Sequence, residues 1–136
     1  MTAGPDFHVL IVETPSLGDR CYVVHDGSVG VVIDPQRDID RVLAEVDAAS
    51  LRLTHVLETH VHNDYVSGGL SLARRTGAEY VMCAGDDVCF ERRGVADGDE
   101  IVTGSLTIRA VHTPGHTHTH LSYVVCDRTG EPQAVF

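Results

Sequence analysis

In the first third of the chain, apolar positions fall in short, β-branched runs bounded by turn residues. Phe7 to Val12, Cys21 to Val24 and Val29 to Ile33 are three such runs, and they predict three strands. Pro15 to Asp19 turns between the first two. Asp26-Gly27 is a hairpin signal between the second and third, and the third ends at Asp34-Pro35. Short strands in meander order predict an antiparallel sheet edge. The period then changes. Ile39, Val42, Leu43, Val46 and Ala49 follow helical spacing, with Asp40, Arg41, Glu45 and Asp47 on the other side and Asp38 placed to cap.

Leu53 to Leu57 returns to a strand, in which His55 reads as a packed residue. Ser67 and Gly68-Gly69 open a second helix through Leu70, Leu72, Ala73 and Arg74, and Gly77 stops it. The two glycines either allow a close backbone approach or simply turn the chain. Glu79 to Cys83 predicts a strand, and Gly85 to Asp99 an acidic, solvated loop. Ile101 to Thr103 and Leu106 to Val111 form a hairpin about Gly104-Ser105. His120 to Cys126 is a strand, Asp127 to Pro132 a turn, and Ala134-Val135-Phe136 begins one more. The order predicts an α+β sandwich with mostly antiparallel sheets, one domain over residues 1–136.

The chemistry gathers at two strand ends. After Leu57-Glu58-Thr59 come His60, His62 and Asp64, two residues apart. On a helix that spacing would point them in different directions, whereas on extended chain leaving a strand they can face one way. Two imidazoles and a carboxylate converging there are a metal-ligand set. The second segment runs from His112 through Thr113-Pro114-Gly115-His116 to His118 and His120, and its Pro-Gly turn sets how His116 projects. Counted from Thr54, with His55 in the strand that leads in, the two segments hold seven of the nine histidines, which scattered core or surface histidines would not do. His118 either lines a pocket or sits on an exposed strand. His120 is expected inside the next strand, on its surface.

Composition narrows the partners. A net charge of −10 and the absence of any basic run argue against nucleic acid and anionic membrane. Residues 1–136 show neither a signal-peptide pattern nor an apolar run of spanning length, which predicts a cytoplasmic protein. Cys21, Cys83, Cys89 and Cys126 have no CxxC spacing and are expected to be small buried residues.

Thr59-His60-Val61-His62-Asn63-Asp64, with Gly68-Gly69 and Thr113-Pro114-Gly115-His116-Thr117, resembles the metallo-β-lactamase superfamily. Leu57 through Gly69 resembles its branch containing glyoxalase II and the persulfide (sulfur) dioxygenases, in particular members found beside rhodanese domains. The resemblance covers Tyr22 to Phe136. It implies an αββα sandwich with the metal at one end of the sheets. His60, His62 and His116 would form the first metal site, and Asp64 would serve a second site or support the first. The motif's usual histidine after the aspartate is replaced by Tyr65, which weakens a dinuclear reading and leaves one metal ion, Fe(II) or Zn(II). Tyr65 and His118 are the candidate substrate-binding residues.

The family's further aspartate and final histidine would fall beyond Phe136. The chain is therefore expected to be a C-terminally truncated domain, weak in metal binding, prone to homo-oligomers and inactive by itself. The implied function is oxidation of a glutathione-type persulfide at mononuclear iron. A first alternative is zinc-dependent hydrolysis of a glutathione-type thioester, with Asp64 catalytic in orienting water. A second is a non-catalytic metal-binding module that partners a rhodanese domain.

Overall fold

The computed structural model describes residues 7–14, 19–60, 68–86, 90–115 and 119–136. The larger sheet holds β1 (His8–Thr14), β2 (Asp19–His25), β3 (Val29–Ile33), β4 (Arg52–Leu57), β5 (Glu79–Cys83) and β6 (Arg93–Val95), in chain order. The smaller sheet holds β7 (Glu100–Thr103), β8 (Leu106–His112), β9 (Leu121–Cys126) and β10 (Pro132–Val135), arranged β10-β9-β8-β7. Two helices, α1 (Ile39–Ala48) and α2 (Gly69–Thr76), join β3 to β4 and β4 to β5.

Those helices decide the strand directions. A chain that crosses over through a helix returns parallel, whereas a tight turn returns it antiparallel. Accordingly β1, β2 and β3 form an antiparallel meander, and β3, β4 and β5 pair in parallel; β6 also pairs parallel to β5, with no helix among the described residues between them. The smaller sheet is antiparallel throughout. Antiparallel pairings therefore predominate, yet the larger sheet is parallel where the first histidine segment leaves it. As a result β3, β4 and β5 deliver their C-terminal ends, and the residues after them, to one edge.

The packing follows strand periodicity. All five residues of β3 are buried, because the sheet is covered on both faces. Val32 packs toward α1 and α2 with Val42, Val46 and Leu72, while Val31 and Ile33 pack toward the smaller sheet with Ile108 and Tyr123. In β8 only Leu106, Ile108 and Ala110 are fully buried, so that strand is covered on one face. The layers are thus helices, larger sheet, smaller sheet.

Three expectations change. Asp38 does occupy the N-cap of α1, but its side chain makes no capping hydrogen bond. The acidic stretch from Gly85 to Asp99 is not all loop: Arg93–Val95 adds a sixth strand, with Val95 buried. And β9 begins at Leu121, so His120 stands just outside the strand rather than within it. Gly77 closes α2 in the left-handed region, at φ 75°, as a C-cap glycine should. Cys21 and Cys126 are buried, Cys83 is half-buried, and all three are free thiols. Cys89, the turn at 15–18 and Ser67 lie outside the described residues. Among the described residues, no helix is long and apolar enough to cross a membrane.

Candidate metal centre

β4 carries the chain into Glu58, Thr59 and His60, and β3 carries it into Asp34 beside them. The Asp34 amide donates to the Leu57 carbonyl at 2.8 Å. Asp34 takes a left-handed backbone, φ 53°, a region aspartate tolerates better than most residues. Its carboxylate accepts the Thr59 amide at 2.8 Å and the Thr59 hydroxyl at 2.6 Å.

That last bond fixes a tautomer. A threonine hydroxyl has one proton, and Thr59 gives it to Asp34. The 2.9 Å contact between Thr59 Oγ1 and His60 Nδ1 must then have the imidazole as donor. With its proton on Nδ1, a neutral His60 carries its lone pair on Nε2, the nitrogen with ligand chemistry for a metal. The donor chemistry of His60 therefore fits a divalent transition metal.

The backbone beneath this histidine is pinned on both sides. The Glu58 amide donates to Val81 at 2.9 Å, and the Leu121 amide donates to the Thr59 carbonyl at 2.7 Å. The Tyr123 hydroxyl donates to the Glu58 carbonyl at 2.7 Å, and the Tyr80 hydroxyl to its carboxylate at 3.0 Å. Burial raises the Tyr123 phenol well above its ordinary range, aided by the charges of Asp34 and Glu58, so it stays a donor. Burial also pushes the Cys21 thiol up to about 12, again aided by Asp34 and Glu58, which rules out a nucleophilic role at neutral pH. Of the two readings of Gly68-Gly69, close approach is the one observed. A Cβ on Gly68 would run into the Gln36 carbonyl oxygen, and one on Gly69 into the Glu58 carboxylate and the Tyr80 ring.

The second histidine segment closes onto the first. The Thr113 amide donates to the His120 carbonyl at 2.9 Å, and Thr113 Oγ1 lies 2.9 Å from both His120 Nδ1 and Ser122 Oγ. The His120 ring stacks on His60, with centroids 5.3 Å apart and planes 25° from parallel. Thr119 donates its hydroxyl to Asp86, just past β5. His120, set down from the sequence as a strand-surface residue, thus belongs to the centre. Sequence reasoning also missed Asp34, Thr113 and Asp86. The signal in the sequence for Asp34 is that it directly follows a strand.

His62, Asp64, Tyr65, His116 and His118 lie outside the described residues. Among the described residues, no three His, Cys, Asp or Glu side chains gather as a metal set. His55 is the packed residue expected of it. It lies 2.9 Å from Thr54 Oγ1 and 3.5 Å from Glu79, and burial lowers its pKa.

A sequence model of the metallo-beta-lactamase superfamily matches residues 18–128. The chain belongs to that superfamily. Within it, a hydroxyacylglutathione hydrolase of Methylococcus capsulatus is 38% identical over 118 residues, 83% of this chain and 46% of that protein. A hydroxyacylglutathione hydrolase of Acidiphilium cryptum is 35% identical over 120 residues, covering 86% and 49%. A metallo-beta-lactamase structure from Staphylococcus aureus superposes with a TM-score of 0.84 at 26% identity, over 96% of this chain and 42% of its own. ETHE1 from Myxococcus xanthus superposes at 0.79 with 32% identity, over 87% and 53%. The chain spans about half the length of the relatives it matches. As a metallo-beta-lactamase-superfamily member it has the fold of a metalloenzyme, and the Asp34–Thr59–His60 chain lies at the sheet edge where its first histidine motif begins.

Proposed function

We propose that the protein hydrolyses a glutathione-type thioester with one metal ion held by His60, His62 and His116. The observation that carries this is the clamp on His60, which keeps its proton on Nδ1 and its lone pair on Nε2. The substrate class is supported by the hydroxyacylglutathione hydrolases among its sequence relatives. A bound metal would supply Lewis acidity toward a carbonyl and lower the pKa of water. Asp64, the carboxylate of the motif, orients the attacking water and takes its proton. Asp34 and Thr59 hold His60 in the ligating tautomer, and the His120 face limits how its ring can turn. Three imidazoles suffice for one ion, so Tyr65 in place of a further histidine is compatible with mononuclear hydrolysis.

A second reading, oxidation of a persulfide at iron, is favoured by that same Tyr65 and by the ETHE1 likeness. The test uses protein expressed from its full reading frame. Zinc-loaded protein is assayed for loss of thioester absorbance with a hydroxyacyl-glutathione, and iron-loaded protein for oxygen uptake with glutathione persulfide. Thioester hydrolysis that a chelator and His60→Ala both abolish is the expected result. Oxygen uptake without any hydrolysis would replace this reading with the second.

A further inference from the structure

A second pair of imidazoles sits at the opposite end of the larger sheet. His8 on β1 and His25 on β2 are direct cross-strand partners. Their rings stack with centroids 5.3 Å apart and planes 30° from parallel. Both stand on the helix-facing side, since Leu10 and Val23, two residues away on the same strands, pack into the helix-side core. The residue beside His25 on β3 is Gly30, so no side chain overhangs the pair from that strand.

The hydrogen bonding of His25 specifies which nitrogen is available. The Gly27 amide donates to His25 Nδ1 at 3.1 Å. Nδ1 is therefore the acceptor, and the neutral ring carries its exchangeable proton on Nε2, where a cation can replace it. Burial first, and the neighbouring His8 second, lower the pKa of His25, which keeps the ring neutral near pH 7. His8 is exposed. In a tetrahedral chelate with bonds of about 2.1 Å, two nitrogens sit roughly 3.4 Å apart. Directly opposed residues on antiparallel strands have Cβ atoms about 4.5–5.5 Å apart, which places the two rings within chelating reach of one another through side-chain rotation.

We propose that His8 and His25 form a two-imidazole chelate for a borderline divalent cation of the Cu2+, Ni2+ and Zn2+ class. Imidazole nitrogen selects that class over Mg2+ and Ca2+, which prefer oxygen. The adjacent acid, Asp26, is already engaged by the amides of Ser28, Val29 and Ser105, so water completes the coordination. The site is separate from the His60 centre. His25 pairs with Gly30 at the start of β3, and Asp34 lies four residues further on, about 13 Å at ~3.3 Å per residue. No single ion reaches both.

The test is a calorimetric titration of Ni2+ into zinc-loaded protein, comparing wild type with His8→Phe, His25→Phe and the double variant. Phenylalanine keeps an aromatic ring on each strand, and a thermal melt of each variant shows whether the sheet is intact. The wild type is expected to bind one further equivalent of Ni2+. Each single variant should lower that affinity at least tenfold, and the double variant should lose the event. His60→Ala should retain it, which separates this site from the proposed catalytic one. Undiminished Ni2+ binding in the double variant would overturn the chelate. Loss in one single variant but not the other would overturn it too, by showing a lone surface histidine.

Discussion

Thr59 is the smallest part of the centre and the one whose role is most sharply defined, because a hydroxyl with one proton cannot donate to both Asp34 and His60. Thr59→Val should weaken metal binding by about 10–100-fold, the usual effect of removing a partner of a ligating histidine, and Thr59→Ser should restore most of it. A competition titration against a chromophoric chelator reads both. His120→Ala should leave the metal bound but lower its affinity several-fold, since the stacked face steadies His60 without donating to the ion. Loss of metal as complete as in His60→Ala would instead make His120 a ligand. The sequence announced His60 through its spacing after an apolar strand. It could not announce Asp34, whose part depends on a left-handed backbone and on β3 lying beside β4. His120 was misplaced because a strand boundary shifted by one residue decides between a ring on the sheet and a ring on the metal centre.

At the scale of elements, what positions the centre is the switch from hairpin to crossover after β3. Hairpins and helices were both legible, from Asp26-Gly27 and from the spacing of Ile39, Val42 and Val46. The three-residue β6 was not, because Arg-Gly-Val offers a single apolar position to read. Tight packing between elements makes Gly68→Ala costly: its Cβ meets a backbone carbonyl, which cannot turn away as a side chain could. We expect a loss of about 1–3 kcal/mol in urea unfolding, the range for overpacking. At the far end, Asp26 joins the β2–β3 turn to the β7–β8 turn. It accepts the amides of Ser28, Val29 and Ser105, each at 2.9 Å, and the Ser105 hydroxyl at 3.0 Å. The Ser105 amide, then that of Val29, holds its carboxyl well below the ordinary 3.8. A carboxyl depressed by folding stabilises above its unfolded pKa, and that contribution fades as pH falls through the folded value. Asp26→Ala should therefore cost about 1–2 kcal/mol at pH 7, solvent screening keeping it modest. The gap between variant and wild type should narrow below pH 4. A gap that stayed constant down to pH 2.5 would remove the ionised carboxylate from the account.

For the molecule as a whole, the sequence conveyed the layered α+β plan and the two histidine segments, because both are periodic or clustered in the chain. It did not convey how the segments meet, which rests on two sheets closing around Tyr123 and Leu121. The central claim is the proposed one, that the protein holds a single metal ion with His60 and His116 among its ligands. Elemental analysis after metal loading and exhaustive dialysis tests it most directly, on wild type, His60→Ala and His116→Ala. The account predicts close to one equivalent per chain in the wild type and little in either variant, with all three sharing the same circular dichroism. Two retained equivalents in the wild type, or an undiminished equivalent in His60→Ala, would contradict it.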